Sequence, residues 1–96
     1  MPTAELIEAV RELLEAAPTT APAELIARAE ALRARIEEAL FEGGEPEATG
    51  LLNDAVVSAI LCARATQQGE AERAEECLEQ GQLFLAAARS GTNGHD

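Results

Sequence analysis

Few residues in this chain could do chemistry, and they are scattered. The single histidine, His95, stands next to the C-terminal Asp96. A general base needs a fixed position within hydrogen-bond reach of the proton it takes, and a terminal tail does not provide one. Without a second histidine the chain cannot assemble an HExxH motif, and a histidine-based triad would have to use His95 itself. Cys62 and Cys77 lack the CxxC spacing of a zinc or dithiol motif. Of the nearest cations, Arg64 and Arg73, only Arg73 shares a helical face with a thiol, that of Cys77. Both cysteines therefore read as small buried or half-buried hydrophobes. Glu75, Glu76 and Glu79 could gather a divalent cation only weakly and read as a solvated face. Asn53, Asp54 and Ser58 form a small polar group that would mark the wet side of one helix. The pair Gly43-Gly44 reads as a turn, since no GxxxxGK[ST] pattern surrounds it and the chain has no lysine. No catalytic, cofactor-binding or metal-binding residue is expected, and the chain reads as non-enzymatic.

The composition agrees. Ninety-six residues make one domain with a small core. Phe41 and Phe84 are its two aromatic residues, so Leu, Ile, Val and Ala must fill the interior. Frequent alanine raises helix propensity and lets helices approach closely. The formal net charge is −11, with acidic residues outnumbering basic ones 18 to 7. This disfavours nucleic acid, whose affinity comes from cations set against phosphates, and equally an anionic membrane surface. Arginine without lysine, beside so much alanine, matches the codon usage of a GC-rich genome and suggests a bacterial source. No signal-peptide pattern opens the chain, and no apolar run of about 18 residues is free of polar interruption. A cytoplasmic protein with reduced thiols is expected.

Four helices should position these residues, at about 3–17, 22–41, 47–68 and 70–89. In the first, Leu6, Ile7, Val10, Leu13, Leu14 and Ala17 recur at three- and four-residue spacing, with Thr3 as candidate N-cap. Pro18 and Pro22 separate it from the second, whose stripe is Leu25, Ala29, Leu32, Ile36 and Ala39. The connection is short, so these two should be antiparallel neighbours. Gly43 or Gly44 ends the second helix, and Pro46 opens the third. The third helix contains LLNDAVVSAILCARA, residues 51–65, the most apolar run in the chain. A helix apolar on more than one face must be covered on several sides, so it should be central, or lie at a dimer interface. After Gly69, the fourth helix carries an inner stripe of Ala71, Ala74, Leu78, Gly81, Leu85 and Ala88, and Gly91 should close it. Residues 1–91 would form the helical domain and 92–96 a disordered polar tail.

The fold class follows as all-α: an antiparallel four-helix bundle or, as the other topology, two stacked helical hairpins. Within it, Leu61, Cys62, Ala65, Gly69, Ala74, Leu78 and Gly81 place small and large apolar residues at intervals that resemble one tetratricopeptide-type helix pair over residues 55–88. Ser58 and Ala65 stand where that family carries bulky residues. The resemblance implies a protein-binding role and carries over no ligand-binding residue. Leu83, Phe84 and Leu85 widen the apolar arc of the fourth helix beyond one stripe, opposite Leu51 and Asp54 at the start of the third. These five are the candidate protein contacts. The expected function is a protein–protein interaction module, a small acidic adaptor or chaperone-like helical protein, with a protein partner or a second copy of the chain. The alternative is an acidic inhibitor that imitates nucleic acid toward a basic partner protein.

Overall fold

The structure, a computed structural model, describes residues 3–93 and their side chains to residue 90. Four α-helices follow in order: α1 (Thr3–Ala16), α2 (Pro22–Phe41), α3 (Pro46–Gln67) and α4 (Ala71–Asn93), with a short 3₁₀ turn at Ala17–Thr19. Among the described residues there is no strand. The fold is an all-α antiparallel four-helix bundle.

Local chemistry explains most of the boundaries. Thr20 donates its hydroxyl to the Ala16 carbonyl at 2.6 Å, so it caps the end of α1 rather than the start of α2. Ala21 takes the N-cap position of α2 without a side-chain hydrogen bond, ahead of Pro22. The ends of α2 and α3 share one device. Gly43 (φ 97°) and Gly69 (φ 76°) adopt the left-handed conformation that costs glycine little. The Gly43 N–H then reaches the Leu40 carbonyl, and the Gly44 N–H reaches that of Ala39 at 2.8 Å. At the second turn the Gly69 N–H reaches Thr66, and the Glu70 N–H reaches Ala65 at 2.9 Å. Each pair of bonds is a Schellman closure, which satisfies carbonyls the helix would leave open. Gly91 does not play this part: α4 runs past it to Asn93. Thr92 and Asn93, expected in the tail, are thus helical; residues 94–96, including His95, lie outside the described residues.

α3 is the central helix. It packs on α4 most extensively, then on α2, and also on α1. Leu52, Ala55, Val56 and Ala59 are fully enclosed, and Ile60 and Ala63 nearly so. α1 supplies Leu6, Val10 and Leu14 from across the bundle, and α2 supplies Leu25, Ala29 and Ile36. By length and apolar composition Pro46–Gln67 could cross a membrane; most of that stretch is buried against the other helices instead. One flank of α3 stays open. Val57 is half-buried and Leu61 is 47% exposed.

Candidate functional site

The residues singled out for chemistry do not converge. Asn53, Asp54 and Ser58 point three ways. Asn53 accepts a hydrogen bond from Arg33 Nε at 3.3 Å, Asp54 is exposed, and Ser58 is buried between helices. Ser58 therefore does not mark the wet side of α3. Glu75, Glu76 and Glu79 are exposed on α4, and no group of three or more metal-ligating side chains lies together among the described residues. The strongest ion pairing lies on α1, where Arg11 bridges Glu8 and Glu15, each at 2.8 Å. Arg89 of α4 approaches Glu8 at 3.9 Å. The Arg11 hydrogen bond and charge, with Arg89 adding, hold the Glu8 carboxyl below its usual range. The Arg11 pairs lie within α1, and the Arg89–Glu8 pair links the middle of α1 to the last turns of α4 at the surface.

The two cysteines share one cluster. Cys62, Ala65 and Ala74 form a small cluster near the turn of the α3–α4 hairpin, with Cys77 and Leu78 packed on it. Both thiols are free, Cys62 buried and Cys77 half-buried. Burial, and secondarily the nearness of Cys77, push the Cys62 thiol up.

The five candidate contact residues separate according to the face of α4 or α3 each occupies. Leu85 is 3% exposed and belongs to the core. Phe84 and Leu51 are half-buried against that core. Leu83 is 63% exposed and Asp54 is exposed. Three consecutive helical positions span some 200° of arc, so the three cannot all face inward. The widened apolar arc thus leaves one isolated leucine on the surface.

A larger apolar exposure lies at the α2–α3 turn, outside the α2 stripe. Phe41, the last residue of α2, is 89% exposed, and Leu40 beside it is 46% exposed. Leu40 lines a groove of about 250 Å³ between α2 and α3, with Ile36, Glu37, Pro46, Thr49 and Asn53. Phe41 follows Leu40 as the last residue of α2 and is not itself part of the groove's lining. The α3 wall of the groove is held by hydrogen bonds. Thr49 is buried and donates its hydroxyl to the Glu45 carbonyl at 2.8 Å, and Asn53 is held by Arg33. Glu37, Glu38, Glu42, Glu45 and Glu47 surround this end in sequence. The signal that could have drawn attention to it is the terminal Leu-Phe pair before Gly-Gly, outside the α2 stripe. Comparisons with protein-family models, with curated proteins and with solved structures found no match for this chain.

Proposed function

We propose that this chain is a non-enzymatic protein-binding module. The observation that carries the reading is the exposed Leu40–Phe41 pair at the end of α2, of which Leu40 lines the α2–α3 groove. A protein with two aromatic residues has every reason to bury them, since each can remove about 150–250 Å² from water. One of the two stands almost wholly outside. Aromatic side chains are the commonest anchors at interfaces, and the acidic residues around this one favour a partner whose apolar anchor is flanked by Lys or Arg. An amphipathic helix or extended segment of that composition fits a groove of this size. The resemblance of residues 55–88 to a tetratricopeptide-type pair supports the same class of function.

The test compares the wild-type chain with Phe41→Ser in affinity capture and in light scattering over a range of concentrations. Phe41 is outside the core, so the variant should keep its helicity and melting temperature. It should lose a partner, or a self-association, that the wild-type chain shows. A wild-type chain that stays monomeric and captures the same proteins as Phe41→Ser would overturn the proposal.

A further inference from the structure

The geometry points to Cys62 and Cys77 as a dithiol site that closes to an intrachain disulfide by exchange with a small disulfide such as oxidised glutathione. The register of the α3–α4 hairpin sets the two side by side. At Gly81 the helices approach so closely that an added Cβ would lie 3.3 Å from Ser58 Cβ and 3.4 Å from the Ala55 carbonyl oxygen. Ser58 and Gly81 therefore face one another. One turn toward the connecting turn, four residues after Ser58 and four before Gly81, come Cys62 and Cys77. A further three residues on come Ala65 and Ala74, which pack together with Cys62 in one cluster. The cysteines thus occupy one rung of a ladder whose neighbouring rungs consist of small side chains. If the 3.3 Å approach at Ser58–Gly81 extends one turn along the ladder, the cysteine Cβ atoms come within the short reach a disulfide requires.

Their unequal burial orders the chemistry. Cys77 is half-buried and Cys62 is 7% exposed, so the small disulfide meets Cys77 first. The Cys77 thiolate attacks one sulfur of the reagent, forms a mixed disulfide and expels one thiolate. Cys62 then gives up its proton and attacks the Cys77 sulfur, which forms the Cys62–Cys77 bond and expels the second thiolate. Two protein thiols are oxidised and one reagent disulfide is reduced to two thiols. Arg73, one turn before Cys77, shares a groove of about 300 Å³ with Arg64, Leu61, Ala65 and Gln68. In a chain so acidic overall, these two arginines beside the cluster, Arg73 also within 3.7 Å of Glu70, are the local cations that would favour an anionic reagent. The raised Cys62 thiol fits its part as the slower, resolving partner.

The experiment incubates the full reduced chain with glutathione disulfide, alkylates the remaining thiols and measures intact mass without reductant. The expected product is monomeric, has lost two hydrogens, takes up no alkylating reagent and yields a Cys62–Cys77 linked peptide. Its melting temperature should exceed that of the reduced chain by about 10 °C, because the bond closes a short loop in the unfolded state. Cys62→Ser should stop at the Cys77–glutathione adduct, and Cys77→Ser should react far more slowly than the wild type. Accumulation of a stable glutathione adduct on the wild-type chain, cross-linking between chains, or persistence of both free thiols would each overturn the inference; these readings need only the wild-type fold.

Discussion

At the scale of single residues, space and charge make opposite demands on similar side chains. Gly50 and Gly81 both lie inside helices, yet only Gly81 is needed for packing. A Cβ at Gly50 would meet nothing within 4 Å, whereas one at Gly81 would lie 3.0 Å from Leu14 Cδ2 and 3.3 Å from Ser58 Cβ. Gly50→Ala should therefore stabilise the protein by about 0.5–1 kcal/mol, the helix-propensity difference. Gly81→Val should destabilise it by about 1–3 kcal/mol through overpacking. Urea unfolding of both variants checks the contrast; equal effects would refute the α3–α4 approach described above. Glu8 supplies a test of electrostatics. Its carboxyl is depressed by Arg11 first and Arg89 last, from an ordinary value of 4.5. A depressed carboxylate contributes stability that is fully present above the ordinary value and is lost as pH falls through the lower folded one. Arg11→Gln should return Glu8 toward the ordinary value, and NMR titration of the Glu8 side-chain carbon reads this directly.

At the scale of elements, the helix boundaries were legible because periodic stripes and punctuation agree. Pro22 and Pro46 open helices at their first turn, and Gly43 and Gly69 close them by the same left-handed device. The central place of α3 was legible from its all-round apolarity. What periodicity could not supply was register. It placed Leu85 on the inner stripe, but it could not show that Leu83 stands clear of the bundle, nor that Ser58 sits against Gly81 rather than in water. Nor could it show that the cysteines share one cluster, since that depends on the length of the hairpin turn. Gly91 was misleading: a glycine near a helix end stops the helix only where the following backbone can close on it, and α4 continues to Asn93. The exposure of Phe41 depends on its being the final residue of α2, beyond the reach of the core stripe. The asymmetry of α3 gives a prediction at this scale. Leu52→Ala, at a fully enclosed position, should cost about 2–5 kcal/mol. Leu61→Ala, on the open flank of the same helix, should cost less than about 1 kcal/mol. Thermal or urea unfolding that ranks the two the other way round would contradict the central burial of α3.

At the scale of the whole molecule, a thin bundle carries a large charge of one sign. The described chain measures 42 × 23 × 16 Å, and the formal net charge is −11. Carboxylates on so slender a body repel one another across distances comparable to a Debye length of about 10 Å at 0.1 M salt. Added salt should weaken that repulsion more than it weakens the few surface ion pairs. The melting temperature should therefore rise with sodium chloride between low and moderate ionic strength, and a fall would show that the Arg11 network outweighs the net charge. The same charge shapes recognition. It leaves the apolar α2 terminus inside an acidic surround and, on the protein-binding proposal, would select partners that bring cations to the rim, where association should slow as salt rises.

The protein-binding reading is tested most directly by hydroxyl-radical footprinting of the chain, free and then in the assembly it forms with its partner or with a second copy. The oxidation rates of Leu40 and Phe41 are compared with that of Leu83, which is also exposed but stands alone on α4. The account predicts strong protection of Leu40 and Phe41 in the assembly, with Leu83 oxidised at its free rate. Unchanged oxidation of Phe41 in an assembly that protects Leu83 would contradict it and would place the contact surface on α4.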